Sequence, residues 1–585
     1  MLNFNLKKMK NFLKIFLLIV ITSCSSSDMD LEPLNGPTSG TFPASYDEGK
    51  MGLFAAYRNL STLDAASTPI WHVMDNITDI GYARPGTNYT SPITSSITTT
   101  NALTIKPWEI HYKTIARCHA VLDKLDGISG ITAAQKTELG SELRFIRAYA
   151  YSQLIELYGD VPLIKSAVTL ENANVARTSV TEIQQFIIDE LGAVAPQLPV
   201  SQSQFGNVRA SRIAALLLKA RIELYSKKYA DAALTSKQAL DLAAGVHSLT
   251  PFNASVNYAG KDHTVGEPDP SNIFGHTGFS SSKEWIWVAE YNMNVPGYLH
   301  NQQYYAASRL GKGVCYWGPT QNLIDSYEMT DGLSILESPL YDEANPFKNR
   351  DPRLDMYAVR PHSRYLGYQF EPNTSFTKVN NYWSAGTPTQ VANADATNAY
   401  RSFSGYLWRK VVDIADFNST SVSGNSDLNV GIFRLPELML IYAEAKIELN
   451  QLDNSVYDVI NQIRVRSKMP TLSTGMSQAQ LRKALRYERK VELANDGLRW
   501  YDIRRWGIAN NVMNGYLYLN RNANSWTKAA ITGFDESANP IYNHSKASTY
   551  FTTQEVVYRI NKDEYWPIPQ SEMDANPSLK QNPGY

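Results

Sequence analysis

Between Glu138 and Tyr158, apolar side chains stand at Leu139, Leu143, Ile146, Ala150, Leu154 and Leu157, in steps of three and four. That spacing draws one stripe along a helix, so it predicts a long helix whose face is buried on other helices. Gly159-Asp160-Val161-Pro162 stops it. Further on, 211–226 and 229–242 read as a helix hairpin in which Tyr229, Ala232 and Ala239 are three and seven apart, with Ala220 nine before Tyr229. These are the small-residue positions of a tetratricopeptide repeat, where alanine lets two helices approach closely. A second pair, 436–450 and 454–467, carries Ala443 and Ala445 in a similar place, and 46–60 with 108–125 offers a third. Stacked hairpins bury their faces on one another. The expected fold is therefore mainly α, a tetratricopeptide-repeat-like α-solenoid scaffold over about 45–245 and 430–510. From about 245 to 430, Gly, Pro, Asn, Ser and aromatics displace the helical period. Long irregular loops with a few short strands, such as 285–291, are expected there, packed on the scaffold as its ligand-binding part. The last stretch, 511–585, reads as irregular, and 45–585 as one unit.

The amino terminus carries a different message. Lys7, Lys8, Lys10 and Lys14 precede an apolar run from Ile15 to Ile21, the layout of a secretory signal peptide. The run is far shorter than the roughly 20 residues a transmembrane helix needs. Ile21-Thr22-Ser23-Cys24 follows and closely resembles the lipobox of bacterial lipoproteins. The resemblance implies cleavage of residues 1–23 and a diacylglycerol and fatty acid on Cys24, with two or more chains giving stable anchoring. Residues 24–44, with Ser25 to Ser27, Asp28, Asp30 and Glu32, form a polar tether. Its acidic patch is similar to the surface-export signal of lipoproteins in glycan-degrading Gram-negative bacteria.

Composition narrows the function classes. A formal net charge of -1 over 585 residues lacks the basic excess of a nucleic-acid binder. The charged segment Arg486 to Arg505 sets Glu488, Glu492, Asp496 and Asp502 against its arginines at helical spacings, which predicts an internal ion-pair framework. Beyond Cys24 only Cys118 and Cys315 remain, so no disulfide framework is expected, and two separate buried thiols are the plainer reading. The nine histidines form no zinc-spaced motif; Cys118-His119 is a lone adjacent pair. Neither a phosphate loop nor a GxSxG elbow is present. The sequence thus carries no sign of catalysis, of a metal, or of a cofactor other than the lipid on Cys24. Carboxylate pairs for glycoside hydrolysis are not readable from sequence, because their separation in space decides the chemistry.

Several stations are similar to the SusD/RagB family of outer-membrane lipoproteins. They are Arg147-Ala148-Tyr149-Ala150-Tyr151 through Leu157-Tyr158-Gly159-Asp160-Val161-Pro162-Leu163, Pro319-Thr320-Gln321-Asn322-Leu323 and Asp351-Pro352-Arg353. In the carboxy half they are Tyr442-Ala443-Glu444-Ala445, residues 461–466, 488–493 and 497–506, and the ending Pro567-Ile568-Pro569 to Tyr585. Two departures, His119 in place of asparagine and Asn495-Asp496 in place of an aromatic-Glu pair, fall in what read as scaffold helices. The resemblance implies a non-catalytic, surface-exposed glycan-binding lipoprotein on the outer membrane. Such a protein captures oligosaccharide or polysaccharide and delivers it to a SusC-like TonB-dependent transporter. A peptide-binding branch of the same family implies the alternative, a RagB-like receptor for a peptide importer.

A sugar site needs flat rings for C–H faces and polar groups for hydroxyl edges. Two segments supply both. One holds Trp71, Tyr82, Arg84, Asn88 and Tyr89, and the other Tyr298, Tyr316 and Trp317; in similar proteins the binding aromatics come from these two regions. Trp285, Trp287 and Trp108, the last read as a helix start, are expected in the core, with Tyr365 and Trp383 outside the site.

Overall fold

The structure is a computed structural model, and it describes residues 42–60, 70–169, 173–251, 273–295, 298–383, 387–410, 412–417 and 425–585. Cys24, the expected signal peptide and nearly all of the expected tether lie outside the described residues. Among these, no helix is long and apolar enough to cross a membrane.

The chain is mainly helical. Its principal helices are α1 (Tyr46–Arg58), α2 (Ile70–Asn76), α3 (Ala102–Leu122), α4 (Ala133–Tyr158), α5 (Val180–Val194), α6 (Arg212–Tyr225), α7 (Tyr229–Ala243), α8 (Leu435–Glu448), α9 (Asn454–Arg466), α10 (Gln478–Glu492) and α11 (Arg499–Arg505). Side-chain oxygens of Ser45, Asn101, Thr132, Ser179, Ser211, Asp453 and Ser477 accept from N–H groups of the first turns of α1, α3, α4, α5, α6, α9 and α10. Each such cap contributes about 1 kcal/mol. Packing runs in order: α1 on α3, α3 on α4, α4 on α5, α5 on α6, α6 on α7, then α7 on α8, and α8 on both α9 and α10. The chain therefore leaves the stack after Ala243 and rejoins it at Leu435. Ala220, Ala232, Ala239, Ala443 and Ala445 are fully buried, as small residues must be where helix backbones approach closely.

Helix α4 departs from the stripe its sequence draws. From Phe145 to Ile155 every side chain is buried, because α3, α5 and α6 pack on it while Trp287 sets its ring edge-on against Phe145 and Tyr149 at 4.8 and 4.9 Å. Its end is as expected, with Gly159 at φ +73°. Helix α3 begins at Ala102, six residues before the expected start at Trp108, and carries Pro107 inside it. Proline removes one backbone donor and normally marks a boundary, which is why the start was misplaced.

The residues between α7 and α8 supply loops, short helices and short strands. Among the strands are β1 (Gly81–Ala83), β2 (Trp285–Ala289), β3 (Trp317–Pro319), β4 (Leu407–Trp408) and β5 (Val430–Arg434), with β1 taken from earlier in the chain. β2 pairs antiparallel with β5, and β1 with β3. Trp108, Trp285 and Trp287 are buried, as expected. The carboxy-terminal stretch is more regular than its sequence suggests. Gly515–Leu519 pairs with Thr552–Val556 across a long intervening segment, and Ile531–Phe534 pairs with Pro540–Tyr542 through the turn at 535–539.

The ion-pair framework exists, but its partners are tertiary. Glu492 meets Arg434, Arg466 and Arg353; Glu488 meets Arg464 and Arg353; Asp502 takes a two-point contact from Arg489 at 2.9 and 3.0 Å. Only Arg505 with Asp502 keeps a helical spacing. Asn495 and Asp496 stand in the turn between α10 and α11 rather than in a helix: Asn495 has φ +63°, and Asp496 pairs with Lys410 and Arg434. His119 is in helix α3, as expected.

Candidate functional site

The two aromatic segments meet through a strand pair. β1 and β3 run antiparallel with Tyr82 opposite Gly318 and Ala83 opposite Trp317, and the next backbone N–H, of Arg84, donates to the Tyr316 carbonyl at 2.9 Å. The residues before β3 turn back on themselves: Tyr316 N–H donates to Tyr305 at 2.7 Å, Val314 N–H to Tyr304 at 2.9 Å and Gly313 N–H to Ser308 at 2.8 Å. Gly313 is required there, since a Cβ would stand 2.3 Å from the Ala307 carbonyl oxygen. Asp395 holds the tip of the turn by accepting from Leu310 N–H at 3.1 Å. Burial pushes this carboxyl up to about 7, against the opposing pull of the Leu310 and Arg309 amides.

This framework divides the eight candidate residues. Trp317 and Tyr82 are each 1% exposed, and Tyr89 and Trp71 are also buried. Trp317 packs edge-on against Tyr89 at 5.4 Å, and the Trp71 indole donates to the Tyr149 hydroxyl at 2.8 Å. These four rings belong to the core and cannot offer a face to a ligand without repacking, which corrects their assignment from sequence. Tyr82 keeps one link with the surface, lying parallel beneath Phe403 at 6.4 Å. Tyr316 and Arg84 are half-buried, and Asn88 is exposed.

Around Tyr316 the structure gathers residues the sequence did not single out. Tyr305 lies 5.0 Å from Tyr316 and Tyr304 lies 5.5 Å from Tyr305. The Arg84 guanidinium sits over Tyr400 at 4.9 Å and Phe403 at 4.7 Å, and also donates to the Ala399 carbonyl at 2.6 Å. Arg309 approaches the same Tyr400 ring at 5.9 Å, and Arg521 lies over Phe403 at 3.9 Å. Tyr400 is 46% exposed. The result is a group of half-buried tyrosine rings beside Tyr400 and Phe403, on which three guanidinium groups stack. It offers C–H-binding planes and hydrogen-bond donors side by side, the pairing a saccharide needs. The only sequence signal for the additional residues was their place in an aromatic-rich loop region. Among the described residues, no group of metal-binding side chains lies at this surface.

Tyr298 goes elsewhere. Its ring carries the Arg58 guanidinium at 5.0 Å and lines a cleft of about 450 Å³ with Phe54, Tyr57, Phe205 and Val295. This cleft lies against α1 and β2 of the scaffold. Tyr365 is buried, and Trp383 is half-buried with its indole donating to the Leu366 carbonyl at 3.1 Å.

Both parts of the chain match family models: residues 283–585 that of the SusD family, and residues 70–224 one described as starch-binding, associating with outer membrane. A SusD-like protein of Formosa agariphila is 23% identical over 543 residues, spanning 86% of this chain and 91% of that one. A SusD-like protein of Bacteroides ovatus is 23% identical over 98% of this chain and 99% of its own. Among solved structures, a SusD-like carbohydrate binding protein from Bacteroides fragilis is 26% identical, with a TM-score of 0.73 over 92% of this chain and 99% of that one. A laminarin binding SusD-like protein is 19% identical, with a TM-score of 0.58 over 92% of this chain and 100% of that one. With the stacked helices, the loop-borne aromatic surface and a family match that spans more than half of the sequence, the chain belongs to the SusD family, whose members bind carbohydrate and associate with the outer membrane.

Proposed function

We propose that this chain is a non-catalytic, lipid-anchored glycan-binding protein of the cell surface that captures oligosaccharide or polysaccharide and delivers it to a SusC-like TonB-dependent transporter. The observation that carries the reading is the surface of Tyr305, Tyr316 and Tyr400 with Arg84 and Arg309 among the rings. Stacking and hydrogen bonds netting about 4 to 8 kcal/mol give dissociation constants from roughly millimolar to micromolar, weak enough for release. The laminarin-binding neighbour and the carbohydrate-binding protein from Bacteroides fragilis support a glycan as the ligand. The lipobox-like Cys24 supports the anchor.

The test is a panel of polysaccharides, laminarin and starch among them, and peptide mixtures run against the purified chain. Retention by at least one glycan is expected; retention by peptides alone overturns the reading in favour of a peptide receptor. Release of reducing sugar, abolished by one Asp or Glu substitution, overturns the non-catalytic part. Cys24→Ala is expected to leave glycan binding by the purified chain intact while removing the protein from the outer-membrane fraction.

A further inference from the structure

His276 converges with Asp416 and Asp427 from a distant part of the sequence, one imidazole nitrogen and two carboxylate oxygens all lying within 4.8 Å of one another. The loops that carry them are tied together. The His276 backbone N–H donates to Asp413 at 2.8 Å, while its Nε2 lies 3.1 Å from Asp416 Oδ1. Asp416 also accepts from the Ser426 hydroxyl at 2.7 Å and from the Gln303 amide. Asp427 accepts from Met293 N–H at 3.2 Å. The His276 side chain is 34% exposed, so the group is open to solvent.

A second observation points to a cation. His300 is 1% exposed and hydrogen-bonds the Leu428 carbonyl at 2.7 Å through Nε2. That bond fixes the proton on Nε2, because a carbonyl only accepts. Nδ1 is then a bare lone pair, buried and without a hydrogen-bond partner. The residue is tied to the cluster: His300 exchanges two backbone hydrogen bonds with Ser426, at 3.0 and 2.7 Å, and is electrostatically coupled to Asp416, Asp427 and His276. Metal-binding histidines usually anchor one ring nitrogen on a carbonyl and leave the other for the ion.

We infer that His276, Asp416 and Asp427 form a binding site for a divalent transition cation of the zinc type, with the buried His300 lone pair near it as a partner for bound water. Imidazole with carboxylate is a donor set for zinc, whereas calcium takes six to eight oxygens. The cation would cross-link three segments: the start of a short helix at His276, the helical turn ending at Asp416, and the residues just before β5 at Asp427. Metal requires the neutral imidazole, so binding releases a proton and weakens as the pH falls.

Isothermal titration of the full chain, freed of metal by chelator, with zinc chloride alone and with calcium chloride alone tests this. One zinc per chain is expected, with affinity lowered at least about tenfold in His276→Ala and in Asp427→Asn. Melting curves of the metal-free variants identify loss through misfolding, and raising the zinc concentration is expected to raise the unfolding midpoint of the unaltered chain only. Absence of zinc binding by the unaltered chain, equal binding by both folded variants, or calcium bound in preference to zinc overturns the assignment.

Discussion

The ion-pair frame behind α8 to α11 and the loop surface around Tyr316 use the same residue types to opposite ends. In the frame, Arg353, Arg434, Arg466, Arg489 and Arg499 are buried, each against a carboxylate. At the surface, Arg84, Arg309 and Arg521 lie against tyrosine and phenylalanine rings. A buried charge costs several kcal/mol unless it is paired, so the frame has no guanidinium to spare for a ligand. A guanidinium stacked on a ring keeps N–H edges for hydroxyl oxygens. The aromatics divide in the same way. Trp317 and Tyr82 are enclosed, whereas Tyr316, one residue from Trp317, is half-buried and Tyr400 is exposed. Trp317 opens β3, whose three residues are all buried, whereas Tyr316 stands just before the strand, where its N–H bonds back to Tyr305.

The contrast can be broken first at the frame. Glu492→Gln is expected to lower unfolding stability by about 3 to 5 kcal/mol, because Arg353, Arg434 and Arg466 each lose one of the carboxylates that balance them in a fully buried frame, as read from denaturant midpoints. The next largest effect separates neighbours in sequence. Trp317→Ala is expected to cost about 3 to 5 kcal/mol of stability through a core cavity. Tyr316→Ala is expected to cost under about 1.5 kcal/mol while weakening retention on the bound glycan about tenfold; equal stability losses in the two variants would erase the distinction drawn here.

The smallest effect concerns pH. Burial alone would raise the Glu492 carboxyl, but Arg466, Arg434 and Arg353 hold it well below the usual carboxylate range. Its contribution is therefore full above the unfolded value and is lost as the pH falls from there through the lower folded value. Asp395 behaves oppositely. With its folded value raised to about 7, its contribution is full below about pH 4 and is lost as the pH rises through about 7. Asp395→Asn, which keeps an acceptor for Leu310 N–H, is expected to shrink the fall in unfolding midpoint between about pH 5 and 7.5, measured by thermal melts. An unchanged fall would show that other buried acids, such as Asp75, also raised to about 7, carry it.

How much was legible follows from the range over which each force acts. Hydrophobic spacing at three and four residues is local, so the long α4 and the α6–α7 hairpin could be read directly, as could the alanines between them. The limit appears at Pro107, where a local rule placed a boundary that the surrounding packing overrides. Charges at Glu488, Glu492 and Asp502 announced an internal frame by their density. Their true partners, on segments more than twenty residues away in most pairs, carry no local mark.

The sequence by itself determined the helical stack, the core places of Trp108, Trp285 and Trp287, the family, and the loop region in which ligand-binding aromatics had to be sought. Tertiary structure alone decided which rings face out. Trp317 and Tyr316 are neighbours at the start of a short strand, and only the pairing of β3 with β1 places Trp317 in the core. The same holds for His276, Asp416 and Asp427, whose meeting depends on how separate loops cross. Periodicity records what a segment does with its own neighbours; a site assembled from several loops is recorded only in the contacts between them.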